Sequence, residues 1–426
     1  MILPIRNVGT HGMASVHKDA SEAIVFECKG GAEGALSVVR TLGREGVSVY
    51  VITDDEASLS AQSRYCRGAY FRTKGHTRET ADDLATLRDL ASQLGNKPVV
   101  FPTADPDLLL LSRLRDQVSP VARLFLAQPE IVDALSDKRR FIDFAERYKL
   151  PVPKTWAPQN QADAVAASRE ARYPVVLKPS NPLAWTAAPI RQFTGPRKAL
   201  VTQNASELMQ AWDAIAPHNA DMLMQEYIAG PDESHYSLHA YLDRNSKPLA
   251  WFTGRKVRVY PAYAGSGCFV ESVYVEPMVE IGLRALTAMN YTGIAVINFK
   301  QDARTGEFVI HEINPRVSQW NILATRCGVN IPYIAYADTT GLAVPEQRRQ
   351  REGVRYVNLR CDLKAFAAYR KRGDWSLARY LYSLRPPLVH QVLASDDPGV
   401  PMAVVKNIIT SRTIGRAAAE PAVSGA

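Results

Sequence analysis

Between Gly293 and Arg316 the chain reads G-I-A-V-I-N-F-K-Q-D-A-R-T-G-E-F-V-I-H-E-I-N-P-R. Asn298 and Lys300, then Glu312 and Asn314, place chemically active side chains at spacings of two. Together they offer a carboxylate, amide oxygens and an ammonium. Oxygen ligands with few charges suit Mg²⁺ when substrate phosphates complete its shell. Arg316, just past Pro315, can meet a phosphate oxygen with a planar fork. These groups form a site only if the backbone puts them on one face, as a strand does for side chains two apart. Ile294 to Lys300 alternates around β-branched residues, Asp302 to Gly306 has turn chemistry, and Glu307 to Asn314 alternates again. The pattern predicts a β-hairpin. A register joining even-numbered positions gathers all four side chains on one face. The same pattern also describes an edge hairpin with a solvated polar face.

E-I-N-P-R on the second strand of such a hairpin resembles the end of the ATP-grasp catalytic domain. In that superfamily the acidic residue and the Asn hold Mg²⁺ on ATP, and the Arg supports the terminal phosphate. The resemblance therefore implies metal roles for Asn298, Glu312 and Asn314 and a catalytic role for Arg316. Many members carry Glu where this chain has Asn298, and carbamoyl-phosphate synthetase has Gln there. Three further stretches resemble the family in the expected order: Ser136-Asp137-Lys138 ahead of an amphipathic helix, V-V-L-K-P ending in Lys178-Pro179, and M-Q-E-Y-I-A-G from Met224 to Gly230. They imply phosphate contacts for Lys138 and Lys178 and an adenine pocket at Gln225, Glu226, Tyr227 and Ile228. His235 aligns with a ribose contact in biotin carboxylase, although a His beside a turn is also a common structural residue. Arg255-Lys256-Val257-Arg258 resembles an R-K-x-R of the same branch, with the turn Tyr263 to Gly267 after it. Lys256 and Arg258 share a face on a regular strand, where they would neutralise a γ-phosphate or a substrate carboxylate; a solvated charge run is the other reading. The branch is carboxylate–amine ligase-like, distantly similar to biotin carboxylase, and the likeness runs from about Ala23 to Gly341.

The elements around these motifs set the expected fold. Ala23 to Glu27 is a short apolar strand, followed by the glycines of Lys29 to Gly34, a helix from Ala35 to Glu45 and a strand from Val47 to Thr53. Glycines in that first turn let a backbone approach a ligand, or simply allow tight strand–helix packing. A helix from Thr80 to Leu94, a strand from Pro98 to Pro102 and the opening Pro102-Thr103-Ala104-Asp105 of a further helix continue the alternation, which predicts a parallel sheet. The expected class is α/β with an α+β catalytic part: an ATP-grasp fold preceded by a Rossmann-like domain and followed by a small C-terminal extension. The expected boundaries are a disordered leader at 1–20, the Rossmann-like domain at 21–128, the ATP-grasp domain at 129–342 with a lid subdomain at about 152–226, and the extension at 343–426 with a disordered tail from Gly415. Pro179 to Lys198, carrying Arg191, Arg197 and Lys198, reads as a polar basic loop suited to a lid or to an ordinary surface. Ser206 is an expected N-cap. Tyr369 to Arg372 with Trp375, Tyr380 and Tyr382 reads as a small helical addition with a solvated face; an acidic membrane or a partner is the alternative.

Composition bounds the rest. The chain has 426 residues, 46% hydrophobic and 22% charged, an ordinary globular balance for two or three domains. No apolar run approaches the ~18 residues of a membrane span, and Met1 to Ala20 lacks a signal-peptide core. Five scattered cysteines without C-x-x-C argue against zinc and for the reducing cytoplasm. A net charge of +8 suits an anionic ligand, and no nucleic-acid module is visible. The expected cofactors are ATP and Mg²⁺. The expected activity is ligation of a small carboxylate, such as an amino acid or sugar acid, to an amine through an acyl phosphate. The expected partners are those small molecules, with no nucleic acid and no transmembrane segment, and a homodimer is compatible with this reading. A small-molecule kinase and a nucleotide-binding protein without turnover are the rival readings.

Overall fold

The computed structural model describes residues 21–28, 31–72, 80–94, 96–180, 184–185, 187–195, 199–263 and 265–407. The leader, the tail from Gly415, Lys29, Gly30, Arg197 and Lys198 lie outside these. Among the described residues the chain forms an α/β structure with three sheets. β1 (Ala23–Glu27), β2 (Val49–Thr53), β3 (Cys66–Phe71) and β4 (Val99–Pro102) make a parallel sheet in the order β3-β2-β1-β4. All five residues of β1 are buried, which is why it reads as an unbroken apolar run. The sequence reading has no β3, whose C-R-G-A-Y-F sits at the sheet edge and is half exposed.

The second sheet is antiparallel: β5 (Thr155–Trp156), β6 (Val175–Pro179), β7 (Leu200–Thr202) and β8 (Met222–Glu226), in the order β5-β8-β6-β7. Its apolar face packs on Trp212, Leu208 and Ile215 of the helix Ala205–Ile215. Asn204, not Ser206, caps that helix by accepting from the Glu207 amide at 3.0 Å. Within the expected loop, Ala188–Thr194 is a helix that carries Arg191.

The third sheet has seven strands: β9 (His235–Leu242), β10 (Pro248–Tyr260), β11 (Ser266–Ser272), β12 (Gly293–Gln301), β13 (Phe308–Asn314), β14 (Arg355–Val357) and β15 (Leu388–His390). Their order is β13-β12-β9-β10-β11-β14-β15. On one face Leu238, Ile297 and Phe299 pack on the helix Glu276–Ala288. There Gly282 lets the helix approach so closely that a Cβ would lie 2.3 Å from Leu238. On the other face Tyr241, Phe252 and Ile294 share a core with the helices Ala32–Arg44, Asn321–Arg326 and Ile331–Thr340. The parallel sheet and the large sheet therefore share both cores.

The C-terminal segment is more than a helical addition, because β14 and β15 extend the large sheet. Its helix Leu359–Arg372 docks on β10 through Arg258. Arg258 is fully buried and makes a two-pronged pair with Asp362 at 2.6 and 3.0 Å. Its guanidinium lies 4.1, 4.5 and 4.8 Å from the ring centres of Phe269, Trp375 and Tyr380. A buried charge that loses its partner costs about 3–5 kcal/mol. Asp362→Ala should therefore lower stability by roughly that amount, read as the urea midpoint. Replacing both partners by apolar residues, Arg258→Met with Asp362→Leu, should recover most of the loss. A double variant as unstable as Asp362→Ala would show that the pair itself, and not the stranded charge, sets the cost.

Candidate active site

The hairpin forms as the alternation requires. Val296 pairs with Asn314, Ile297 with Ile313 and Asn298 with Glu312, so even positions face even positions. Asn298 Nδ2 donates to Glu312 Oε1 at 2.7 Å, and Asn314 Nδ2 donates to the same oxygen at 3.2 Å. The Asn298 carbonyl oxygen accepts from the Ser237 hydroxyl. Beyond Asn298 the register slips, and Phe299 pairs with Ile310 and Lys300 with Val309. His311 is the extra residue of this bulge. It lines the same cavity as Glu312, while Ile310 is buried in the core. Lys300 is buried at the far end, its ammonium 5.0 Å from the centre of the Tyr227 ring.

A cavity of about 1120 Å³ opens over this face. Lys138 reaches it from the start of the helix Lys138–Arg147, where Asp137 caps the amides of Arg139 and Arg140. Its ammonium donates to the Pro179 carbonyl at 3.3 Å. Lys178, on β6, donates to Gln225 Oε1 at 2.8 Å on the neighbouring β8. Lys256 enters from β10 and lies 5.8 Å from the Trp320 ring centre. Burial lowers the pKa of all these ammonium groups, Lys300 included, and that of Lys178 falls to about 8, with Lys138 as the second cause. His235 and His311 stand with ring centres 5.8 Å apart. Burial first, and then the nearby lysines, push both down to about 3, so both rings are neutral.

Arg316 also lines the cavity, but its fork is already engaged. Nε and Nη2 donate to the two oxygens of Asp105 at 2.5 and 3.3 Å, and Nη2 also reaches Asn314 Oδ1 at 3.3 Å. Asp105 opens the helix Asp105–Arg113 just after β4, at the carboxyl end of the parallel sheet. Sequence reading passed over it, although that end of a parallel strand is where ligands gather. It also passed over His311, whose signal was a ring in a stretch of apolar residues.

Two expectations are corrected. Lys256 and Arg258 do not share a face. β10 pairs Lys256 with Val270 and Arg258 with Phe269, so Val257 is a bulge residue that turns Arg258 away from the cavity and into the C-terminal core. Among the hinge residues, Gln225 lines the cavity, whereas Ile228 is buried and the Glu226 carboxylate accepts from the Arg172 amide. The Glu226 amide is bound to the Lys154 carbonyl at 2.9 Å and that of Tyr227 to Pro174 at 3.0 Å.

A second cavity of about 520 Å³ adjoins the first through Lys256, Asn298, Glu312, Asn314 and Arg316. Gly31, Glu33, Thr103, Gln319 and Trp320 add to its wall.

The lowered pKa of Lys178 has a measurable sign. Between about 8, folded, and the ordinary lysine value of 10.5, the unfolded chain holds a proton that the folded chain has lost. Stability of the ligand-free protein therefore rises with pH across that window. Lys178→Met should flatten the rise, followed by urea titrations at pH values from about 7 to about 10. A rise of undiminished slope in that variant would assign the titration to another group.

A family model described as the carbamoyl-phosphate synthase L chain, ATP binding domain, matches residues 137–342. D-aspartate ligase of Enterococcus faecium is 25% identical over 255 residues, 58% of this chain and 60% of that protein. The carbamoyl phosphate synthase large chain of Methanobrevibacter smithii is 22% identical over 327 residues, 72% of this chain and 28% of that one. This chain thus spans less than two thirds of either relative. Among solved structures, the biotin carboxylase domain of Hydrogenobacter thermophilus 2-oxoglutarate carboxylase, in complex with MgADP, ADP and bicarbonate, superposes with a TM-score of 0.59 at 16% identity, covering 79% of this chain and 74% of that one. N5-carboxyaminoimidazole synthetase from Staphylococcus aureus gives 0.56 at 14%, covering 79% and 82%. Residues 137–342 thus match an ATP-binding domain of the carbamoyl-phosphate synthase type, and the chain resembles ATP-grasp carboxylate–amine ligases in sequence and in fold.

Proposed function

We propose that this protein is an ATP-dependent ligase that joins a small carboxylate to an amine. The observation that carries the reading is the set of ammonium groups, Lys138, Lys178 and Lys256, that line one cavity with the carboxylate of Glu312, an arrangement suited to a polyanion. The donor set fits Mg²⁺ brought in by phosphates: Glu312 is flanked by two amides, and no group of three or more His, Cys, Asp or Glu side chains gathers among the described residues. Bound there, Mg²⁺ would neutralise the charge on the transferring phosphoryl group. Lys138 and Lys178 would hold the α- and β-phosphates, and Gln225 with the hinge backbone would bound the adenine. Lys256 and Arg316, on the wall between the two cavities, would steady the γ-phosphoryl group and the carboxylate. A substrate carboxylate oxygen attacks the γ-phosphorus and ADP leaves. The amine then attacks the acyl phosphate carbon, phosphate leaves, and the amine gives up a proton. Such transfer depends on positioning and charge neutralisation more than on protein acids and bases. The likeness to a D-aspartate ligase supports an amino acid as one substrate. None of the five cysteines forms a disulfide, which suits the reducing cytoplasm.

The direct test is a screen of amino acids, singly and in pairs, for phosphate release from MgATP. Release that requires both a carboxylate and an amine supports ligation, whereas a phosphorylated hydroxyl product would make the protein a kinase. MgATP at about 100 times its Kd should stabilise the fold by about 2.7 kcal/mol, and a thermal scan with no upward shift would count against nucleotide binding altogether.

Asn298 turns its NH₂ toward Glu312 and its oxygen toward Ser237, so it orients the carboxylate more directly than it could coordinate an ion. Glu312→Ala should abolish turnover. Asn298→Ala should mainly raise the Mg²⁺ concentration needed, and Asn298→Glu should lower it. Titration of Mg²⁺ against rate decides the point: an unchanged midpoint in both Asn298 variants leaves no part for that residue in metal binding.

A further inference from the structure

We propose that the two C-terminal helices form a docking surface for an anionic lipid bilayer, with exposed leucines entering the headgroup layer and free cations meeting the headgroups. The inference does not rest on the ligase reading. Leu359, Leu363, Leu377, Leu381 and Tyr382 are 40, 51, 47, 58 and 61% exposed. Five of the thirteen large apolar side chains that the described residues expose thus fall within 24 positions. Single exposed leucines need no explanation, but a cluster of this kind marks a contact surface. The five belong to one packed unit. The helices Leu359–Arg372 and Leu377–Ser383 are joined by Phe366 stacked on Tyr380, with ring centres 4.1 Å apart. Asp362, Ala365, Phe366 and Tyr369 are the buried face of the first helix. At about 100° per residue, Leu359 and Leu363 fall on the flank beside Phe366, and Arg360, Lys364 and Lys371 fall opposite the buried face. Leu377 and Leu381, one turn apart, flank buried Tyr380 on the second helix.

Charge selects the occupant. From Leu359 to Arg385 there are seven Lys and Arg against two Asp, which leaves five net positive charges of the eight on the whole chain. Neither Asp offsets them at the surface: Asp362 is paired with buried Arg258, and Asp374 accepts from the Tyr263 hydroxyl. Of the seven cations, Arg379 alone forms an ion pair with a described residue, Glu233 at 3.2 Å. A nucleic acid would meet the cations but leave the leucines in water. A second copy of the chain would bring like charges face to face across a two-fold axis. An anionic bilayer uses both sets, covering the apolar side chains at the acyl boundary while Lys and Arg reach the headgroups. No described helix is long and apolar enough to cross a membrane, so the contact is at the surface. Asn358, which caps the first helix, and Cys361 in its first turn line the second cavity. Docking therefore holds that cavity close to the lipid.

The test is sedimentation of the full chain with vesicles of phosphatidylcholine alone, or with about one third phosphatidylserine, at about 0.1 M and about 0.5 M salt. Wild type should follow the anionic vesicles and not the neutral ones, and less at the higher salt. Lys364→Glu with Lys371→Glu should weaken partitioning about twenty-five-fold or more, since each cation near such a surface is worth about fivefold. Leu377→Ser with Leu381→Ser keeps the charge and should weaken it about tenfold or more. Arg169→Glu with Arg244→Glu makes the same charge change at exposed sites elsewhere and should lose far less. The two test pairs lie on different helices, and melting without vesicles checks that each is folded, so one misfolded variant leaves the other to decide. Wild type that ignores anionic vesicles, or a leucine pair that binds as wild type does, would overturn the proposal. A loss in the Arg169 and Arg244 variant equal to that of the lysine pair would overturn it too, by reducing the effect to overall charge. So would dissociation of a wild-type dimer by the leucine pair, which would make the patch an interface between copies.

Discussion

Lys138, Lys178 and Lys256 line one cavity, and Lys300 is buried on the hairpin whose cavity face carries the carboxylate of Glu312. Mutual repulsion in a partly buried space is the constraint that the surrounding structure has to meet. It meets it with neutral partners. Lys138 rests on a carbonyl, Lys178 on an amide oxygen, and Lys256 and Lys300 on the faces of aromatic rings. A carboxylate beside each would have removed the positive potential, and with it the attraction for a polyphosphate. Carbonyls and rings hold the side chains in place and leave most of the charge available. The two histidines fit the same logic, since rings kept neutral add polar contacts without adding to the repulsion.

Such a cavity opposes folding, so stability has to come from elsewhere. The ion pairs that are fully buried lie away from the cavity. Arg258 and Asp362 fasten the C-terminal helix to β10, and Arg40 and Asp397 fasten the segment after β15 to the helix Ala32–Arg44. Each pair is supplemented: Arg258 by aromatic faces and Ser383, and Arg40 by the carbonyls of Gln391 and Val392. A buried charge is tolerated only when its remaining donors are satisfied in this way. The cations named here thus divide into a set buried in packing and a set that lines the cavity. Sequence alone cannot sort them, because Lys256 and Arg258 stand two apart and differ by a bulge.

That bulge shows where legibility in the sequence ends. The hairpin, the Lys138 helix, the Lys178 strand and the hinge strand were readable because each signal is local: an alternation, a cap, a run of β-branched residues. Their convergence was readable too, through the resemblance of four motifs in order. A bulge leaves no mark on a period-two pattern, yet everything after it changes face. The slips at Val257 and at His311 therefore removed one expected site residue and added another. Asp105 was hidden for a different reason. Its partner Arg316 lies 211 residues away, and an ion pair across that distance exists only once the two sheets have packed.

The wall of the second cavity is the extreme case of this dependence. Gly31, Gly34 and Thr103 come from the ends of the first and last strands of the parallel sheet, Gly265 to Gly267 from the β10–β11 turn, Gln319 and Trp320 from beyond the hairpin, and Asn358 and Cys361 from the C-terminal segment. The glycine that a ligand-binding loop would require is explained here by packing: a Cβ on Gly31 would lie 2.7 Å from the Thr103 hydroxyl, which itself donates to the Phe26 carbonyl at 2.7 Å. Gly31 lets the turn close against β4. It shapes the cavity by bringing Thr103 to its edge, and it need not touch a ligand. The large cavity is thus lined mainly by contiguous motifs, while the second cavity is assembled from five separate stretches of the chain. Substitutions in any of those stretches can then reshape the second cavity without changing the hairpin. One cavity of such a fold can thus vary while its neighbour keeps its lining, so that different sites are carried on the same scaffold.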